Sequence, residues 1–247
     1  MKTIISALLL AALAACAPAN RDTAASDTTK TTATTAAGYS STTSSSVSNP
    51  APTTTTAPAP KASAEENRPM EYYKDKVAEL HTSAGEIDIR FYPDAAPNHV
   101  KNFIDLAEKG FYNGTKFHRV IPGFVIQGGD PNTVSGSPGT WGTGVSPTRL
   151  KSEFNAIAHR RGIVSMARSQ DPNSASSQFF ICVADAGSLD NQYTAFGKVT
   201  KGMEVADKIV SAPRGAGDRP NNPTSIDKIV IREAKPDEKG PAPTGGR

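Results

Sequence analysis

The sequence predicts a mainly β fold: a closed antiparallel β-barrel capped by two α-helices. Three observations lead there. Many short runs alternate apolar and polar residues with the period of a half-buried strand. Two segments, Pro97–Lys109 and Met203–Val210, carry apolar residues at helical spacing instead. Gly, Pro, Ser and Thr clusters break the chain between these runs, as expected where short strands are joined by turns and loops.

The first 71 residues stand apart from that pattern. Lys2 precedes an apolar run from Ile4 to Ala15, too short to span a bilayer, so residues 1–15 are expected to be a signal peptide. Leu13-Ala14-Ala15-Cys16 resembles a bacterial lipobox, which implies lipidation of Cys16. An ordinary cleaved signal peptide with an incidental cysteine is the other reading. Ala17, where an aspartate is absent, resembles the sorting pattern for the outer membrane. The expected location is therefore the bacterial cell envelope, lipid-anchored and facing the periplasm. Half of the residues from 20 to 60 are Ser or Thr, and Pro and Ala fill much of the rest. Such a segment has little apolar surface to bury. Residues 16–71 are thus expected to be a lipidated cysteine followed by a disordered tether with an r.m.s. span of about 40 Å.

The folded domain is expected over 72–235. Val77–His81 and Glu86–Phe91 alternate around Thr82–Gly85, a hairpin. In Pro97–Lys109, Val100, Phe103, Ile104 and Ala107 form the apolar stripe. Pro97 suits the first turn and Gly110 the position just past the end. Phe117–Asp130, FHRVIPGFVIQGGD, is the densest stretch: two short strands around the Pro122-Gly123 break, ended by Gly128-Gly129. Strand alternation puts Phe117 and Arg119 on one face, with Phe124 and Gln127 rejoining Arg119 after the turn. One cationic fork and one amide then border an apolar patch. Residues 128–155 read as a long surface loop. Ile163–Ala167, Gln178–Val183, Ala195–Val199 and Ile226–Arg232 complete the strands, and 236–247 is expected to be a disordered tail.

At these residues a family resemblance appears. FHRVIPGFVIQGGD is similar to the signature of the cyclophilins, the peptidyl-prolyl cis-trans isomerases. GIVSMARSQDPNSASSQFFICV (Gly162–Val183) and the stretch from Leu189-Asp190 to Ala195-Phe196-Gly197-Lys198-Val199 resemble the family's next two blocks. The resemblance spans roughly Val77–Ala234. It implies an eight-stranded, cyclophilin-like barrel closed at each end by a helix, and isomerase activity on X-Pro bonds. It implies catalytic roles for Arg119 and Gln127, and a substrate surface of Phe124, Val125, Ala167, Arg168, Gln178, Phe180, Leu189 and Tyr193. Phe124, Phe180 and Leu189 match the proline pocket. Ala167 and Arg168 match a strand edge that bonds an extended peptide. Ordinary core packing is the alternative for the three apolar residues. Tyr193 stands where eukaryotic members have histidine, and Ser188 where drug-sensitive members have tryptophan.

The function implied is folding assistance to envelope or secreted proteins, with proline-containing polypeptides as partners. A binding module of the same fold with little turnover is the other reading. Rotation about an imide breaks no bond, so no cofactor or metal is expected. His81, His99, His118 and His159 include no pair at metal-ligand spacing. His118 is expected to be a hydrogen-bonded core residue. Cys182, in an apolar run, is expected to be a buried inert thiol. A net charge of +3 is too small to argue for nucleic acid, and a monomer is expected.

Overall fold

The computed structural model describes residues 68–239. The signal segment, Cys16, the tether up to residue 67 and the last eight residues lie outside the described residues. Eight strands form one antiparallel sheet: β1 Lys76–Thr82, β2 Gly85–Phe91, β3 Arg119–Ile121, β4 Val125–Gly128, β5 Ile163–Met166, β6 Phe179–Cys182, β7 Thr194–Lys201 and β8 Ile226–Glu233. Their spatial order is β3-β4-β6-β5-β7-β2-β1-β8.

The sheet is not the closed barrel expected from the sequence. β3 and β8 are its two ends, and no ladder joins them. β3 is only three residues long, and β8 spends its pairing on β1. The seam is drawn together just before β3. There Gly114 and Phe117 donate to the Ile226 and Thr224 carbonyls at 2.7 and 3.0 Å, and Ile226 donates back to Thr115 at 2.7 Å. The fold is an open half-barrel whose ends meet over one short segment.

Alternation places one set of side chains inside. Val120, Ile126, Ile181 and Val164 come from four successive strands, pair across them in register and are fully buried. α1 (Pro97–Glu108) packs against β7 and β8, with Pro97 in its first turn and Gly110 in the left-handed region just past its end. Phe103 on this helix is the hub of the core. Its ring lies 5.0 Å from Tyr112, 5.3 Å from Phe179, 5.4 Å from Phe196 and 5.7 Å from Phe91. α2 (Asn132–Ser135) is a single turn in the long loop, and α3 (Met203–Val210) lies against β2, β3 and β4.

Both ends of the folded unit extend past the expected limits. Tyr73 is fully buried, with its hydroxyl 3.0 Å from Asp105, and Arg68 pairs with Glu108. Residues 68–71 therefore belong to the fold rather than to the tether. The tail expected to be disordered from Pro236 begins with a 3-10 turn, Pro236–Glu238. The Glu238 carboxylate accepts from Arg232 Nη1 at 2.7 Å, Arg232 Nη2 at 3.1 Å and the Lys235 amide at 2.8 Å. A bidentate arginine contact holds what composition alone leaves free.

Phe103→Ala removes a ring that meets four others, and is expected to cost about 3–5 kcal/mol. Urea unfolding of both proteins checks this; a loss under 1 kcal/mol would mean that the helix is not seated on the sheet as described.

Candidate active site

The site is built on the opposite face of the same four strands. Arg119 on β3 pairs in register with Gln127 on β4, Gln127 with Phe180 on β6, and Phe180 with Ser165 on β5. Directly paired residues share a face, so these four side chains form one row across the outside of the sheet. Two residues along, Val125 pairs with Cys182 in a second row on that face.

Phe124, Val125, Ala167, Phe180, Leu189 and Tyr193 pack together with Cys182 and Ala186 as a cluster separate from the main core. Val125 and Phe180 are its buried floor, while Phe124, Leu189 and Tyr193 are half-exposed walls. Tyr193 meets Phe180 edge-on at 5.5 Å. Phe117 does not share the face of Arg119 as alternation from residue 117 suggests. It is fully buried and packs edge-on against Phe179 at 6.3 Å. The strand begins only at Arg119, so the period-2 count does not carry back through His118. Gly129 lets the chain turn inward beyond β4: its φ is +81°, and a Cβ there would lie 2.6 Å from the Ser177 carbonyl oxygen.

Arg119 is loosely held. Its Nη1 lies 3.4 Å from Gln127 Oε1 and its Nε 3.8 Å from Asp218 Oδ2, and about a third of the side chain is exposed. These are long contacts for a charged donor, so most of the five guanidinium N–H bonds are uncommitted among the described residues. Gln127 is tied further back. Its Nε2 donates to Gln178 Oε1 at 3.0 Å, and Gln178 Nε2 donates to the Gly142 and Gly144 carbonyls at 3.0 and 2.8 Å. The two amides orient each other and join the site to the long loop. That loop is ordered: the buried Asp130 carboxylate accepts from the Asn132 amide at 2.7 Å and from the Gly142 amide.

Arg168 and Ala167 sit across the cluster. The Ala167 amide donates to the Gln178 carbonyl at 2.8 Å, so it is not free for a peptide. The Arg168 guanidinium stacks 4.7 Å from the Tyr193 ring and donates to the Gln192 carbonyl at 3.0 Å, bracing the turn that carries Leu189 and Tyr193.

Sequence reasoning missed a buried relay beneath the pocket. His159 Nε2 lies 2.8 Å from Ser165 Oγ and its Nδ1 2.9 Å from Asp190 Oδ1, which also accepts the His159 amide at 2.7 Å. The imidazole stacks on Phe180 at 6.2 Å, 25° from parallel. Ser165 is fully buried and Asp190 half-exposed. The signal available was Ser165 itself, a hydroxyl on a strand whose neighbours are all apolar. Burial holds the His159 pKa below its ordinary value against the pull of Asp190. Cys182 is buried as expected, its thiol pushed up to about 12 by burial and then by Asp190 and Asp185.

His118 departs from expectation. It is buried, but among the described residues neither ring nitrogen has a partner in hydrogen-bonding geometry, the Lys116 carbonyl included. Burial lowers its pKa; the Asp130 charge and the Lys116 carbonyl oppose this, and Arg119 and Arg219 reinforce it.

The comparisons with known proteins agree with this architecture. The profile of the family described as "Cyclophilin type peptidyl-prolyl cis-trans isomerase/CLD" matches residues 77–231. The chain belongs to the cyclophilin-type peptidyl-prolyl cis-trans isomerases. It is 45% identical over 162 residues to peptidyl-prolyl cis-trans isomerase A of Dickeya dadantii, covering 63% of this chain and 82% of that one. It is 42% identical over 154 residues to the isomerase ppi1 of Schizosaccharomyces pombe, covering 62% and 96%. Among solved structures, a Cryptosporidium parvum cyclophilin-type isomerase crystallised in the presence of the dipeptide Ala-Pro aligns with a TM-score of 0.59 at 32% identity. That alignment covers 64% of this chain and 99% of that one. The chain is a cyclophilin-type isomerase.

The unpaired His118 makes a pH prediction. Its folded-state pKa is depressed, so its contribution to stability is complete above the ordinary imidazole value near 6.5. It is lost as pH falls below that value, because the unfolded chain takes up the proton first. Tm is expected to drop between pH 7 and pH 5, and to drop less in His118→Gln. Scanning calorimetry across that range decides it; superimposable pH profiles for the two proteins would count against the assignment.

Proposed function

We propose that Arg119 is the catalytic donor of this isomerase, that Gln127 positions it, and that Phe124, Val125, Phe180, Leu189 and Tyr193 hold the substrate proline. The observation that carries the reading is the loosely held guanidinium at the end of a row that leads into an apolar cluster. Rotation about the imide bond meets a barrier of about 18–20 kcal/mol, because the bond is partly double. The nitrogen lone pair becomes an acceptor only when the amide twists. A donor aimed at that nitrogen is bonded in the transition state and in neither ground state, which is the condition for catalysis. A guanidinium can do this with no change of protonation, and a charge-assisted hydrogen bond contributes roughly 1.5–3 kcal/mol. The rest of the acceleration comes from fixing the ring in the pocket while the other side of the bond turns.

Gln127 does its part by keeping Arg119 on the sheet face without binding it tightly. Gln178 positions Gln127 and holds the loop carbonyls of Gly142 and Gly144. Arg168 and the Ala167 carbonyl border the peptide path. The clients proposed are envelope or secreted proteins whose folding waits on X-Pro isomerisation, which takes tens to hundreds of seconds unassisted. The enzyme acts as a monomer, anchored through lipid on Cys16 to the membrane facing the periplasm, on the outer membrane. The lipobox-like Leu13–Cys16 and the Ser/Thr-rich stretch after it support that location.

Arg119→Ala is expected to lower kcat/KM by about 10²–10³, the usual cost of one preorganised transition-state donor, with a much smaller change in peptide affinity and in Tm. Arg119→Lys should recover only part of it, since an ammonium lacks the planar fork. Exchange NMR on an Ala-Pro peptide gives the rates. Near wild-type turnover by Arg119→Ala would end this mechanism, and a parallel loss of several degrees in Tm would make Arg119 a structural residue. Cys16→Ala is expected to release active protein from the membrane fraction on cell fractionation; a variant still bound to membrane would refute the anchor.

A further inference from the structure

Trp141 is the chain's only tryptophan, and nothing in the reaction above uses it. It sits half-buried in the loop that runs from Asp130, its indole Nε1 donating to the Gly136 carbonyl at 3.0 Å. Two cations flank its ring, Lys116 Nζ and Arg219 Cζ, each 5.7 Å from the centroid. Trp141 is one residue from Gly142, whose carbonyl accepts from Gln178. Arg219 is one residue from Asp218, whose carboxylate faces Arg119. The indole and its two cations therefore stand beside the Arg119 end of the site row, outside the proline pocket.

The charges there do not cancel. Lys116, Arg119, Arg214 and Arg219 are the cations. Asp218 is shared between Arg119 at 3.8 Å and Arg214 at 3.4 Å. Asp130 is buried, with its two oxygens taken by loop amides. The Lys116 ammonium donates to the Thr133 carbonyl, which leaves its charge in place. Arg219 is half-buried, and among the described residues its guanidinium makes the contact with the Trp141 ring and no hydrogen bond or ion pair. A guanidinium held over an aromatic ring with all its N–H bonds open is a fork for a carboxylate.

Resting on the isomerase reading above, we infer that Trp141, Arg219 and Lys116 form a specificity subsite for an acidic side chain, Asp or Glu, flanking the substrate proline on the Arg119 side. The indole supplies a flat wall that keeps Arg219 extended, and Arg219 receives the carboxylate. The gain is in binding rather than in the twist of the imide, so it belongs in KM and leaves kcat alone.

The test uses the full-length protein and a set of X-Pro peptides that differ only in one residue, Glu, Gln or Lys, moved through three positions on each side of the proline. Two readouts are taken: kcat and KM by exchange NMR, and Trp141 emission on titration with each peptide, which needs no turnover. We expect Glu to be favoured over Gln, and Gln over Lys, on one flank only. The expected ratio is on the order of threefold to fivefold in KM, the size of an exposed ion pair, collapsing in 1 M salt. The Glu peptide should shift the emission at the same concentrations. Arg219→Glu should invert the preference and Arg219→Gln should flatten it, while the remote reversal Lys228→Glu should leave it intact. Equal KM for Glu and Gln at all positions would overturn the subsite, as would a Glu preference that survives both Arg219 variants, which would belong to Arg119 instead. If no peptide is turned over, the isomerase reading fails, and the emission titrations alone decide the subsite: a Glu-selective shift upholds it and none refutes it.

Discussion

The constraint on which this structure depends is the two-residue period of β3, β4, β6 and β5. Each residue of the site row is flanked in sequence by a core residue pointing the other way. Phe180 faces out between Phe179 and Ile181, and Ser165 faces out between Val164 and Met166. A slip of one residue in any of these strands would exchange the two sets, sending Arg119 toward the position of Val120 and a charge into the core. The cost of burying an unpaired guanidinium thus enforces the register that keeps it on the outer face. Core and site are one decision read on two faces.

The outer face needs further support, because its cluster is apolar and yet partly open to solvent. Phe180 is nearly as buried as a core residue although it lies on that face. It is held by Ser165 across the strand, by His159 stacked behind it and by Tyr193 at its edge. Asp190 closes this support by accepting twice from His159, through the ring and through the amide, and by sitting next to Leu189 in the chain. One carboxylate therefore fixes both the ring behind Phe180 and the turn that carries the wall of the pocket. The hydroxyl, the imidazole and the carboxylate satisfy one another, so the polar groups beneath the apolar floor incur little penalty.

Much of this was legible in the sequence, and the limits are physical. The hairpin, the two longer helices and the placing of Arg119, Gln127 and Phe180 in one row follow from alternation, turn residues and the family motif. The failure to close was not legible, because closure depends on how far β3 runs beside β8, and strand ends are set by tertiary packing rather than by local propensity. Phe117 was misplaced because period-2 counting presumes a strand where the chain is still irregular. His118 was expected to be hydrogen-bonded because buried polar groups usually are, and nothing local reveals an exception. The relay was missed because its members are brought together by the β5 register and the 187–190 turn, not by spacing. The order of Pro236–Glu238 rests on one arginine six residues upstream of Glu238, which a composition argument does not see.

That arginine also clarifies the other one. Arg232 lies against Glu79, Asp88 and Glu238, and the Glu238 hydrogen bonds foremost, then Glu79, raise its pKa against the effect of burial. Its fork is filled, and it ties the terminal turn to β1 and β2. Arg119 is of the same residue type on the same sheet, but among the described residues only an amide at 3.4 Å and a carboxylate at 3.8 Å approach it. A structural arginine is stabilised by filling its donors; in the catalytic role proposed for Arg119 it must keep them open and still be aimed. The sheet resolves that conflict by separating the two tasks. The strand register and the Gln127–Gln178 amide pair supply the direction, and neither consumes the charge. Direction without saturation is what a donor needs if its acceptor exists only at the top of the barrier.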